Sequence, residues 1–139
     1  MQHKPDKRLS PPGIRFLAMT ALEIGTKLVD LVKAHKNHEA METLYHPNIV
    51  SVEAGAPGGG NPEAKGVAAC IEKSKQFQQR MEVHGGNVDG PFPNGNRFAV
   101  FYDYDVTPRA GGERFHLKEV ALYTVDGDKI VREEFFYKM

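Results

Sequence analysis

At 139 residues the chain has the length of one ordinary domain, and with 40% hydrophobic and 26% charged residues it can form a core, which excludes general disorder. Its 18 basic and 18 acidic side chains cancel, which removes the electrostatic reason to expect a nucleic acid or an anionic membrane as partner. A single cysteine excludes an internal disulfide and a Cys-based zinc site, and no apolar run reaches the ~18 residues of a membrane span.

Residues 1–13 carry three prolines and no apolar period, and are expected to form a flexible arm ahead of a single domain over residues 14–139. Thr20 and Glu23 have the spacing of a capping box, and Ile24, Leu28, Leu31 and Val32 then form one helical stripe. Gly25 within that stripe weakens the helix by about 1 kcal/mol and points to a close neighbour. Asn37 can cap a second, shorter helix with Ala40, Met41, Leu44 and Tyr45 on its apolar side, ended by His46-Pro47-Asn48. Ile49 to Ala54 is a short strand, followed by the glycine-rich loop Gly55–Gly60, whose Gly58-Gly59-Gly60 suit a mobile lip. Asn61-Pro62-Glu63 reads as the start of a third helix running to about Gln79, with Val67, Cys70, Ile71, Ser74 and Phe77 on one side and Lys73 elsewhere.

From there the period changes from 3.6 to 2. Glu82–Phe92 reads as an irregular strand, residues 97–107 as a strand with Phe98, Val100, Tyr102, Tyr104 and Val106 on one face, and residues 113–125 as a strand presenting Phe115, Leu117, Glu119, Ala121, Tyr123 and Val125. Asp103 and Asp105 fall on the opposite face, and Lys129–Tyr137 is the last strand. Helices followed by a long antiparallel meander predict an α+β architecture, with three helices on one face of a strongly curved antiparallel sheet.

The ending EVALYTVDGDKIVREEFFY, the string LYHPNIVSVEA and the entry NPEAKG resemble the SnoaL-like branch of the NTF2-like superfamily, over roughly residues 16–138. The resemblance implies a cone with a cavity between the helices and the concave sheet. Ketosteroid-isomerase-like members carry a carboxylate base at the end of the first strand, which matches Glu53, and a second acid in the penultimate strand, at or within one residue of Glu119. The tyrosine those isomerases use from the first helix falls near Val29, which cannot donate a hydrogen bond and so departs from the steroid-isomerase pattern. The resemblance also implies a homodimer paired through the convex face of the sheet.

Parity places Glu119 on an apolar face, where a carboxylate must be paired, neutralised or hydrated in a cavity; desolvation would then raise its pKa and suit it to acid–base work. A salt bridge or a bulge turning it to solvent is the plain alternative. Glu53 has the reach of a proton acceptor at a cavity rim, against an ordinary exposed loop acid. His84 is the candidate proton carrier near neutral pH, against a surface role. Tyr102, Tyr104, Tyr123 and Phe115 are candidate ligand-lining residues, against generic core packing. The trio His35, His38 and Glu39 lacks a metal-binding pattern, and the glycine loop lacks a phosphate-binding one. The expected function is binding of a small, largely apolar or carbonyl-containing molecule in the cytoplasm. Cofactor-free proton transfer of isomerase, cyclase or dehydratase type is the chemistry considered, and a noncatalytic binding or dimeric interaction domain is the alternative. No metal, cofactor, nucleic acid or membrane is expected to take part.

Overall fold

The computed structural model describes residues 19–56 and 60–138. The expected arm at residues 1–13 lies outside them, as do Gly58 and Gly59 of the expected lip.

Helix α1, Ala21–Lys33, opens on the predicted capping box. The Glu23 N–H donates to the Thr20 hydroxyl at 3.1 Å, and the Thr20 N–H donates to the Glu23 carboxylate at 2.8 Å. The stripe Ile24, Leu28, Val29 and Val32 is buried. Gly25 lies against strand β3, Met81–Asn94, where a Cβ would stand 2.7 Å from the Cβ of Pro91, so the close neighbour implied by the sequence is this proline ring. Helix α2 is Asn37–Leu44, with Lys36 rather than Asn37 at its N-cap.

Strand β1, Tyr45–Val52, follows α2 without a break. Tyr45 therefore starts a strand instead of closing a helix face, and His46-Pro47-Asn48 is taken up in an irregular stretch of the ladder. The expected helix entry at residues 61–63 is also displaced. Glu63–Lys65 forms a short strand β2 that pairs with β1, and helix α3, Val67–Arg80, begins only after Gly66, whose φ of 92° suits glycine. The Asn61 side chain spends its oxygen on the Glu63 N–H in a turn at 3.0 Å.

Strands β4, Arg97–Pro108, β5, Phe115–Asp126, and β6, Lys129–Phe136, complete a six-stranded sheet of order β2-β1-β6-β5-β4-β3. The meander β3–β6 is antiparallel as expected, but β1 joins β6 in parallel, so the sheet is mixed. The three helices pack on one face, α1 mainly against β3 and β4 and α3 from β1 and β2 across to β3. The core between them holds Ile24, Leu28, Ile49, Phe98, Val100, Ala121 and Ile130.

Cross-strand partners share a face, so the registers give the inner face as a set of rows. One row runs Ser51–Glu133–Tyr123–Phe98, the next holds Phe135, Ala121 and Val100, and the next holds Glu119, Tyr102 and Val88.

Candidate active site

Glu133 forms the buried floor of the site. It is 2% exposed, and its carboxylate accepts from the Tyr45 hydroxyl at one oxygen and from the Ser51 hydroxyl, at 2.6 Å, on the other. Burial raises its pKa, while the bonds from Ser51 and Tyr45 act in the opposite direction. Above it, the Lys73 ammonium donates to Ser51 Oγ at 2.7 Å and to Glu53 Oε2 at 2.5 Å, and lies 5.3 Å from the centre of the Phe135 ring. The other oxygen of Glu53 accepts from the Tyr137 hydroxyl at 2.8 Å.

Glu119 stands on the same face and is half-buried. Among the described residues its carboxylate makes no side-chain hydrogen bond. Its pKa is pushed up to about 7, first by burial and then by the negative charges of Glu53 and Glu133, with Lys73 pulling the other way. The structure thus brings Glu53 and Glu119 within electrostatic reach, one tied to an ammonium and a phenol, the other without a side-chain hydrogen bond among the described residues. Two carboxyl groups in such unlike surroundings are the arrangement that divides acid from base work.

The tyrosines fall into two groups. The hydroxyls of Tyr102 and Tyr123 are bonded to each other at 2.7 Å and buried in the core, where burial raises both pKa values. Tyr104 is half-buried, stacks on Tyr102 at 5.7 Å and faces Phe77 of α3 at 6.2 Å. Phe115, expected to line the site, is 40% exposed at the far end of β5.

His84 is not brought to the carboxylates. It sits exposed where the β3–β4 register slips, and its ring bonds the Thr107 hydroxyl at 2.7 Å. Thr107 belongs to the outer set of β4, together with Asp103 and Asp105. There Asp105 accepts two bonds from the Arg114 guanidinium, at 2.8 and 2.7 Å, and Asp103 is paired with His116 at 2.8 Å. The register slip carries His84 to the outer surface, away from the proton-carrying place considered for it.

Two surface clefts lie apart from the carboxylates. Lys27, Asp30, Leu31, Leu44 and Asp128 line one; Glu42, Pro47, Gly66 and Val67 line the other, which touches the network through Tyr45. Neither is lined by Glu53 or Glu119.

Sequence reasoning missed Lys73, Glu133, Ser51, Tyr45 and Tyr137. Lys73 follows the buried Cys70 by three residues and precedes Phe77 by four, and that spacing places it on the sheet-facing stripe. Counting back by two from Tyr137 through Phe135 reaches Glu133, a signal of the same kind as the one that singled out Glu119.

The sequence profile of the SnoaL-like domain matches residues 19–137. A candidate SnoaL-like polyketide cyclase from Mesorhizobium loti is 42% identical, with a TM-score of 0.78, over 86% of this chain and 100% of its own. The chain belongs to the SnoaL-like domain family. Solved structures at lower identity share the fold of this SnoaL-like domain. An NTF2-like protein from Burkholderia thailandensis is 20% identical with a TM-score of 0.72, over 86% of this chain and 92% of its own. A protein with a ketosteroid isomerase-like fold from Catenulispora acidiphila, in complex with trimethylamine, is 16% identical with a TM-score of 0.67, over 86% and 88%. No curated protein matches the SnoaL-like chain. None of its described helices is long and apolar enough to cross a membrane.

Proposed function

We propose that this SnoaL-like domain binds a small carbonyl-containing molecule over its inner face and moves a proton on it without a cofactor. Glu53 takes the proton from the carbon beside the carbonyl, and Glu119 donates to the developing enolate oxygen, with Tyr104 alongside. The observation that carries this reading is the Glu119 carboxyl, held near pH 7 within reach of the ammonium-paired Glu53. A donor aimed at the forming oxyanion is commonly the largest contribution to such a reaction. The polyketide cyclase part of the Mesorhizobium loti relative's name supports a carbonyl-bearing substrate. The test is a panel of small ketones and esters scored by thermal shift, followed by turnover or α-proton exchange with any compound that binds. Glu53→Gln and Glu119→Gln should each abolish turnover, and activity should decline above about pH 7, as Glu119 loses its proton. Unchanged turnover in both variants would overturn the mechanism.

A noncatalytic binding role is the second reading. It is favoured by the engagement of both Glu53 oxygens and by clefts that lie elsewhere. It predicts stabilisation by ligand with no turnover.

We further infer a homodimer paired through the outer face of the sheet. Val120 and Phe136, partners in the β5–β6 ladder, are 42% and 53% exposed there, and Phe101 is the partner of Val120 in β4. Neighbouring apolar side chains on a sheet face are suited to a second copy.

A further inference from the structure

Lys73 is the cation whose charge acts on Glu53, Glu119 and Glu133 together. A lysine in an exposed ion pair contributes little, because a flexible stem must be held in one geometry. Here the stem is held several times over. Its ammonium has two of its three protons committed, one to Ser51 Oγ at 2.7 Å and one to Glu53 Oε2 at 2.5 Å, and it rests above the Phe135 ring at 5.3 Å. Ser51 in turn donates a hydrogen bond to the buried Glu133, to whose other oxygen the Tyr45 hydroxyl donates. Lys73 is therefore anchored to a floor that is buried in the protein, while Tyr137 fixes the second oxygen of Glu53.

That anchoring distributes charge unequally. Glu53 has an ammonium in contact; Glu119, on the same face of the sheet, feels the negative charges of Glu53 and Glu133, with the attraction of Lys73 the smallest of these influences. We propose that Lys73 is the positioning residue of the site: pinned by Ser51 above Glu133, it holds Glu53 as the proton acceptor and leaves Glu119 as the proton carrier. The inference rests on the acid–base reading above and adds to it the residue that assigns the two roles.

The titratable groups facing the ammonium are Glu53 just after β1, Cys70 from its own helix, Glu119 from β5, Glu133 from β6 and Tyr137 just after it, with Tyr45 behind Glu133. Burial moves Cys70 up to about 12, and Tyr45 and Tyr137 also titrate above their ordinary value. The thiol and the two phenols therefore keep their protons below pH 8.

The experiment is a carboxyl-carbon NMR titration of the protein without substrate, in wild type, Lys73→Met and Lys73→Arg. In Lys73→Met the Glu119 midpoint should rise by on the order of one pH unit, because an opposing charge is gone. In Lys73→Arg it should return toward the wild-type value. A folded Lys73→Met with the wild-type Glu119 midpoint would overturn the proposal. Should Lys73→Met not fold, the wild-type protein decides: the Lys73 side-chain nitrogen resonance should inflect at the Glu119 midpoint, and its indifference to that titration overturns the proposal equally. The outcomes separate from those of the proposed function. An unmoved midpoint with turnover lost in Glu53→Gln and Glu119→Gln removes the role of Lys73 alone. A moved midpoint with turnover intact in both removes the acid–base reading.

Discussion

Replacing Glu119 by Gln should stabilise the protein, and only above mildly acidic pH. The native carboxyl titrates at about 7, against an ordinary 4.5. Between those values the folded state binds more protons than the unfolded chain, so stability falls as pH rises through the window. Below about pH 4.5 both states are protonated and the contribution of Glu119 is fully present; above about 7 it is lost. A rise of this size corresponds to about 3 kcal/mol, and partial contact with solvent reduces it to roughly 1–3 kcal/mol. Glutamine has nearly the same shape and stays neutral at every pH. Because the Glu119 carboxylate makes no side-chain hydrogen bond among the described residues, little else should be lost. Urea denaturation of wild type and Glu119→Gln at pH 4.5, 6, 7 and 8 isolates the effect, since the other titrating groups largely cancel in the difference. The two proteins should be equal within error at pH 4.5, and the variant should be ahead by roughly 1–3 kcal/mol at pH 8. A difference that does not change with pH, or a variant less stable at pH 8, would refute the reasoning.

Three further outcomes can be checked. Tyr102→Phe should cost about 1–3 kcal/mol by denaturation, because it leaves the Tyr123 hydroxyl buried without its partner at 2.7 Å, and Tyr102→Phe/Tyr123→Phe should recover part of that loss. Gly25→Ala should destabilise by about 1–3 kcal/mol despite the better helix former, because the new Cβ would stand 2.7 Å from the Pro91 ring and 3.0 Å from Phe98; a raised Tm would show that the contact relaxes easily. Val120→Asp with Phe136→Asp should convert the proposed dimer to monomer by analytical ultracentrifugation while leaving the circular dichroism spectrum intact.

The parts of the fold that were legible in the sequence are those written in local patterns. The Thr20–Glu23 box starts α1 because both partners lie within one helical turn. Alternation predicts β4 and β5 to within two residues at each end, and it places Glu119 on the inner face because a period of two leaves no other choice without a bulge. Long-range pairing was not legible. The parallel junction of β1 with β6 joins segments some eighty residues apart, and it alone brings Ser51 beside Glu133. Asn61-Pro62-Glu63 carries a helix-start signature, but pairing of Glu63–Lys65 with β1 prevails over that local preference. The face of His84 was not legible for a related reason: the register slip between Val83 and Gly85 breaks the alternation that would assign it to one side of the sheet. Lys73 was missed because a charged residue on a helix is ordinarily assigned to solvent. Here the sheet beneath it supplies an aromatic ring, a hydroxyl and a carboxylate.

The claim on which the account depends is that an acid poised near neutrality stands beside a carboxylate already paired with an ammonium. The wild-type carboxyl-carbon titration of Glu119 by NMR tests it most directly. A midpoint near 7 is the predicted result. A midpoint near the ordinary 4.5 would contradict the account and leave the inner face without its proton donor.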